Sequence, residues 1–256
     1  MEKPTDIGTN RTGIATSPID SPALIKGARE GANGDGNGHE IDGEVLLDQR
    51  VLFARSAHPV GTVPPPATIK GIAKAVLEKL QGHKPTVFID KLGQRLAYER
   101  AGVRLYEALL AKFDAANVHD GGPTRTQIEE IRNDEHRHAT ILRDAILSLG
   151  ADPTAMTPCA DVTGVAGLGW VQVLCDPRTT LTQCLDVMLG VELYDTASWL
   201  LLVDLADELG FDELAARFRE AHVNEEGHSV RLRAWVRGAV IGQAGEDATP
   251  VKKTKH

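Results

Sequence analysis

Four stretches of the chain after residue 85 repeat apolar residues at alternating intervals of three and four positions. This period is typical of an α-helix with one buried face. The repeating positions are Phe88, Leu92, Leu96, Glu99, Val103, Tyr106 and Leu110; Ile128, Ile131, Glu135, His138, Leu142, Ala145 and Leu149; Leu185, Met188, Glu192, Asp195, Trp199 and Leu202; and Phe211, Leu214, Phe218, Ala221, Glu225, His228, Leu232 and Trp235. The pattern predicts an all-α protein in which four long helices form a bundle over residues 85–237.

The residues between these stripes predict how the four helices are connected. Gly121–Thr124 supplies an N-cap for the second helix, and Gly150 follows its end as a C′ glycine. Gly210 separates the third and fourth helices, so the chain is predicted to form two antiparallel hairpins. The roughly 30 residues between the hairpins, 151–180, are too many for a tight turn. They predict a long crossover between helices two and three, with a short helix around Val165–Leu174.

The rest of the chain divides into three further segments. Residues 1–44 hold eight of the 25 glycines and too little apolar surface to offset the entropy of ordering. We expect a disordered tail there; the alternative is an arm that becomes ordered on a neighbouring subunit. Residues 45–84 combine an apolar stretch, a proline-rich strap and a helical pattern over Thr68–Leu80, and are expected to pack on the bundle. Residues 238–256 are expected to form a flexible tail.

Composition and charge exclude several classes of function. The chain has 36 acidic and 28 basic residues and a formal net charge of −8, which argues against nucleic acid as a partner. Its three cysteines, Cys159, Cys175 and Cys184, lack the Cys-x-x-Cys spacing of a zinc or rubredoxin-type site. A reduced, cytoplasmic setting is the simplest interpretation. No uninterrupted apolar run reaches about 18 residues, so no membrane partner is expected.

Each apolar stripe carries a glutamate at a position where a core residue is expected. Burying an ionised carboxylate is costly unless another group compensates its charge. The four are Glu99, Glu135, Glu192 and Glu225. His138 follows Glu135 by three positions, and His228 follows Glu225 by three. Residues at this spacing share a helix face, so one helix can offer a carboxylate and an imidazole to the same metal.

The order of these residues along the chain is more specific than any single pair. Glu99 precedes Glu135 by 36 positions, and Glu192 precedes Glu225 by 33. From the helical rise of about 1.5 Å per residue, each hairpin brings its two glutamates level. Two facing hairpins would then gather four carboxylates and two imidazoles at the middle of the bundle. The alternative is a stripe displaced by one residue, which would leave these side chains on solvated faces.

This pattern resembles the ferritin-like superfamily of di-iron and di-manganese carboxylate proteins over roughly residues 86–237. Its members place a Glu on each of two helices and a Glu-x-x-His on each of the other two. The resemblance implies a ferritin-like antiparallel four-helix bundle in which Glu135 and Glu225 bridge two metals. It assigns Glu99 with His138, and Glu192 with His228, to the terminal positions.

Several neighbouring residues also have counterparts in that superfamily. Tyr106 lies where bacterioferritins and rubrerythrins commonly have a tyrosine near the site, and a redox or hydrogen-bonding role is implied. Asp134 matches an aspartate that orients a ligand histidine, whereas the corresponding position in the second half is Asn224, a departure. Asp195, one turn after Glu192, is expected to hydrogen-bond a ligand histidine. His136 replaces the haem-binding methionine of bacterioferritins, so no haem is expected.

Oxygen-rich ligation with one imidazole per metal favours iron or manganese. We therefore expect two Fe ions, or alternatively two Mn ions, and a non-haem di-metal oxidoreductase that reacts with O2 or H2O2. Iron storage with ferroxidase activity, manganese-catalase-like dismutation of peroxide and a non-enzymatic, metal-stabilised interaction module are the alternatives. The chain has neither a rubredoxin motif nor a Gly-rich dinucleotide fingerprint, so an external electron donor is expected. A homo-oligomer is also expected.

Overall fold

The computed structural model describes residues 19–33, 43–65, 85–116, 118 and 120–246. These residues form α-helices and no β-strand, which confirms the all-α prediction for this part of the chain. The helices are α1 (Asp20–Asn33), α2 (Gly43–Ser56), α3 (Pro85–Ala115), α4 (Arg125–Ser148), α5 (Pro158–Ala166), α6 (Leu168–Cys175), α7 (Leu181–Glu208) and α8 (Asp212–Glu246).

The N-terminal region differs from the sequence-based expectation. The described helices α1 and α2 belong to a compact unit separate from the unit that holds the bundle. Asp20–Asn33 is helical, whereas a disordered tail was expected there. The expectation followed from the glycine-rich composition of the whole segment, which outweighed a short run of helix-forming residues within it. The helical pattern predicted over Thr68–Leu80 lies outside the described residues.

The C-terminal end of the bundle also differs. Helix α8 continues to Glu246, nine residues past the predicted end at residue 237. The glycines in this stretch led us to expect a flexible tail, but one glycine inside a helix costs only about 1 kcal/mol relative to alanine. Val240 and Ile241 continue the helix with large side chains that are more than half exposed.

The four long helices α3, α4, α7 and α8 form a bundle in which α3 and α8 each pack against α4 and α7. One apolar cluster joins the first halves of α3 and α8 to the second halves of α4 and α7. A second cluster joins the opposite halves of the same four helices. Neighbouring helices are therefore antiparallel, while α4 and α7 run in the same direction. The chain between them crosses the length of the bundle through α5 and α6, which pack against α3.

Local capping fixes where the long helices begin and end. Thr124 caps α4 through a reciprocal capping box with Gln127, and Thr180 caps α7 in the same manner. Gly150 and Gly210 follow the ends of α4 and α7 with φ values of 75° and 71°. Each closes a Schellman motif, in which left-handed backbone favours glycine. These contacts confirm the predicted roles of Thr124 and Gly150.

One described stretch, Pro158–Cys175, is long and apolar enough to cross a membrane by length and composition alone. Its apolar residues are interrupted by polar ones, and Gly167 divides it into α5 and α6. Because both short helices pack against α3, the stretch serves as the crossover of the bundle. The expectation that no membrane partner is involved stays a prediction.

Candidate metal centre

A layer of acidic and histidine side chains separates the two apolar clusters of the bundle. The structure brings all six predicted ligand residues together in this layer, and each is at most 1% exposed. They form two groups whose ligand atoms lie within 4.8 Å of one another. The groups are Glu99, Glu135, His138 and Glu225, and Glu135, Glu192, Glu225 and His228. Glu135 and Glu225 belong to both groups, as expected for residues that would bridge two ions.

The Nδ1 atoms of both histidines face carboxylate oxygens, most of them from other helices. His138 Nδ1 lies 2.6 Å from Glu225 Oε1 and 3.7 Å from Glu99 Oε2. His228 Nδ1 lies 3.1 Å from Glu225 Oε2, 3.3 Å from Glu192 Oε2 and 3.7 Å from Glu135 Oε1. Each group therefore combines one imidazole with three carboxylates.

The two histidines differ in what holds the far side of the ring. His228 Nε2 donates a hydrogen bond to Asp134 Oδ2 at 3.1 Å, which turns Nδ1 toward the glutamates. His138 Nε2 is buried without a hydrogen-bond partner. Asn224, the counterpart of Asp134, is exposed and lines a cleft of about 370 Å³ that His138 also lines. Because Asn224 stands where the first half has Asp134, the two halves of the site differ in how the histidine ring is held.

Several buried polar atoms of the cluster have no hydrogen-bond partner. Among them are Glu99 Oε2, Glu135 Oε1, Glu192 Oε2, Glu225 Oε1 and His138 Nδ1. Buried polar atoms in proteins are nearly always paired, and buried charges are compensated. Each of these residues belongs to at least one of the two groups, so a cation within a group would satisfy several of the atoms at once. The donor set therefore fits a metal ion.

Without a metal, protons take the place of the cation. Burial and the neighbouring Glu225, Glu192 and Glu99 carboxylates raise the pKa of Glu135 well above its ordinary value. Burial also raises the pKa of Glu192, to about 7. Burial opposes the protonated imidazole of His138, yet Glu225 and Glu99 raise its pKa to about 9. Glu192 and Glu225 raise the pKa of His228 to about 9 in the same manner.

A buried ion pair next to the cluster was not predicted from the sequence. Arg95 is 1% exposed; its Nη2 donates to Glu99 Oε1 at 2.8 Å and also to Asp195 Oδ1. Trp199 Nε1 donates to the same Glu99 oxygen at 2.9 Å. These donors occupy Glu99 Oε1 and leave Oε2 for a metal. The structure thus pairs Asp195 with Arg95, and the expectation that Asp195 would hydrogen-bond a ligand histidine stays a prediction.

Arg95→Met is expected to destabilise the protein by about 3–5 kcal/mol, since it leaves the Asp195 carboxylate buried without its partner. The double variant Arg95→Met with Asp195→Leu removes both charges and should recover most of that loss. Chemical denaturation of the wild type and both variants measures the difference. Equal destabilisation in the single and double variants would contradict this account of the pair.

Tyr106 occupies the position expected of it beside the site. Its side chain is fully buried, and its Oη donates a hydrogen bond to Glu192 Oε1 at 2.5 Å. Burial, together with the charges of Glu192 and Glu135, raises the pKa of the phenol well above 10, so it keeps its proton. Whether the tyrosine has a redox role stays a prediction.

Gly102 is a further residue whose role the sequence did not indicate. It lies in the middle of α3, buried against α4, where a Cβ atom would overlap Glu135 Oε2. The three atoms nearest to such a Cβ all belong to the side chain of Glu135. The absence of a side chain at residue 102 therefore makes room for a carboxylate shared by both groups.

Gly102→Ala is expected to lower the metal content without unfolding the protein, because the added methyl group displaces a flexible carboxylate rather than backbone. Gly227→Ala on α8 is the matched control, since a Cβ there meets nothing within 4 Å. The control should keep its metal and gain roughly 0.5–1 kcal/mol of stability from the better helix former. Metal analysis and thermal unfolding of both variants test this; full metal content in Gly102→Ala would contradict it.

The other histidines near the cluster belong to neither group. His136 is exposed, and His222 forms a hydrogen bond between its Nδ1 and the Thr196 carbonyl oxygen at 3.1 Å.

Comparison of the chain with models of protein families, with curated proteins and with solved structures gave no match. Any function for the cluster therefore has to be argued from its own residues and geometry.

Proposed function

We propose that the protein is a ferritin-like, dinuclear metal oxidoreductase that reacts with O2 or H2O2. The observation that carries the proposal is the pair of overlapping groups, each with three carboxylates and one imidazole, that share Glu135 and Glu225. A single ion needs only one such group. Two groups with two common members are what a pair of neighbouring ions bridged by carboxylates requires.

The charge of the cluster also fits two divalent ions. The four carboxylates of Glu99, Glu135, Glu192 and Glu225 carry four negative charges when ionised. Two divalent ions carry four positive charges, and the Arg95–Asp195 pair adds no net charge. Such a cluster would be neutral as a whole, which removes most of the cost of burying it.

The ligand types favour iron or manganese over copper or zinc. Carboxylates suit harder ions, and one imidazole per ion suits iron and manganese alike. When bound, two such ions would each change by one electron and so supply the two electrons that O2 or peroxide can take. Both metals remain in the proposal, with iron preferred and no haem.

The residues around the cluster would position its ligands and keep the site dry. Asp134 fixes the ring of His228, while Arg95 and Trp199 hold one oxygen of Glu99. Tyr106 holds a proton on its Oη, directed at Glu192. The apolar clusters on either side exclude water, which strengthens every charge interaction between them.

Electrons for repeated turnover would come from outside the chain. The three cysteines lack the paired spacing of a rubredoxin site. We expect protein loaded with Fe²⁺ under anaerobic conditions to consume O2 once, and to continue only when a reductant is supplied. Stopped-flow absorbance and an oxygen electrode measure the two phases, with Glu135→Ala as the inactive control.

Other outcomes of these assays, of a peroxide assay and of a particle-mass measurement would support different functions. Metal-loaded protein that neither consumes O2 nor turns over peroxide would be an interaction module stabilised by its metal. Sustained release of O2 from H2O2 by the manganese-loaded protein, with no donor, would indicate a peroxide dismutase. A particle of very large mass with an iron core would indicate storage. The cytoplasmic location and the homo-oligomer stay predictions.

A further inference from the structure

A basic groove lies between α3 and α4, among residues other than the six candidate ligands. Its cavity of about 440 Å³ is lined by three arginines and by apolar side chains. The arginines are Arg100, Arg104 and Arg143, and the apolar side chains include Leu96, Val103 and Ala139. The groove thus combines cations with an apolar floor, which is the composition of a site for an amphiphile.

The positive charge of this groove contrasts with the rest of the chain, whose net charge is −8. Within the part of the chain that the structure describes, Arg100 and Arg104 form no ion pair. Arg143 pairs only with its exposed neighbour Asp144, at 2.8 Å. One carboxylate, Glu107, lines the groove with the three guanidinium groups, so the local charge is positive. Guanidinium groups bind carboxylate and phosphate with two parallel hydrogen bonds.

The groove continues into a recess lined by both apolar and polar side chains. A smaller cavity of about 90 Å³ shares Leu96, Arg100, Pro153 and Thr154 with it. This recess lies beneath the segment that precedes α5 and is lined by the apolar Ile89, Ile146 and Met156 and by the polar Asp152 and Thr157. A ligand that follows the groove would therefore place a charged end among the arginines and an apolar end beneath this segment.

We propose that the groove binds a small anionic amphiphile, with a carboxylate or phosphate head at Arg100, Arg104 and Arg143 and an aliphatic chain over Leu96 and Val103. The head group neutralises the guanidinium groups, two of which form no ion pair, and the chain covers apolar surface of the groove. The inference goes beyond the proposed redox function, because none of these groove residues belongs to the metal cluster.

The test is a calorimetric titration of the full-length protein with decanoate, decyl phosphate and uncharged decanol. We expect both anions to bind and decanol to bind at least about tenfold more weakly, since decanol cannot form the charge-assisted hydrogen bonds of an anionic head group. The stronger anion identifies the head group. Equal affinity for decanol and the anions would overturn the proposal.

Two variants separate the groove from the metal cluster. Arg100→Gln with Arg104→Gln should weaken anion binding about tenfold or more, whereas Arg233→Gln, an exposed arginine on α8, should leave it unchanged. Val103→Trp should fill the groove and abolish binding while the helical content stays that of the wild type.

The titration is repeated after chelation of metal, because a carboxylate or phosphate can also coordinate a metal ion. Binding of equal strength with and without metal is expected. Binding that needs the metal, or that survives all the groove substitutions, would overturn the proposal. Metal content is measured on the same samples, so failure of the groove and failure of the metal site are distinguished.

Discussion

Replacing either Glu135 or Glu225 with alanine is expected to remove both metal ions from the chain. Each of these residues belongs to both ligand groups, so its loss leaves each group with two carboxylates and one imidazole. Metal analysis of the purified wild type should give about two ions per chain, following the ligand set of di-iron bundles. Both alanine variants should give close to none.

Two further variants make this result specific. Glu226→Ala removes the exposed carboxylate next to Glu225 and should keep the full metal content. Glu99→Ala removes a member of one group only and should lose mainly the ion at the His138 side. Full retention of metal by Glu135→Ala or Glu225→Ala would mean that the bridging assignment is wrong, even if a single ion binds elsewhere in the cluster.

The metal-free protein is expected to lose stability as the pH rises from about 5 to about 9. The folded state binds protons more tightly than the unfolded chain at His138 and His228, whose pKa values rise to about 9, and at Glu192, whose pKa rises to about 7. That stability is fully present at low pH and is lost as these groups release their protons. Glu225, whose pKa is lowered by its close contacts with both histidines despite its burial, acts only at more acidic pH.

The size of this loss and its reversal by metal are measurable by thermal unfolding. One proton difference corresponds to about 1.36 kcal/mol per pH unit, or roughly 3–5 °C in the Tm of a bundle of this size. Metal at a hundredfold excess over its Kd should raise the Tm by roughly 5–10 °C and flatten the pH dependence, because it takes the place of the protons. In Glu192→Gln the metal-free protein should show a smaller slope. A metal-free Tm that is constant or rises over this range would contradict the buried cluster.

The positions of the six cluster residues could be predicted from the sequence because two independent features agree, the helical period and the spacing between glutamates of the same hairpin. The helical period places Glu99 and His138 on the buried stripe, and the hairpin spacing brings the glutamates level. The capping residues Thr124 and Gly150 were also predictable, since a cap depends on the few residues around it. Local chemistry and regular spacing are the features that a single sequence carries most directly.

The residues that the sequence did not reveal depend on contacts between helices. Arg95 lies one turn before Glu99, and nothing in α3 alone shows that Asp195 on α7 faces it. Gly102 reads as an ordinary glycine until the register of α3 against α4 places it beside Glu135. The sequence offered only a weak signal for either residue. Arg95 and Gly102 each lie on or beside an apolar stripe, within about one helical turn of Glu99.

Each ligand group takes three residues from one hairpin and one from the other. Glu225 of the second hairpin completes the group around His138, and Glu135 of the first completes the group around His228. Neither hairpin alone can therefore assemble a full binding site, although both can form early because their own contacts are close in sequence. Metal uptake would therefore mark the last step of folding, in which the two hairpins pack against each other. Once bound, the ions would hold residues of both hairpins and so oppose separation of the two hairpins.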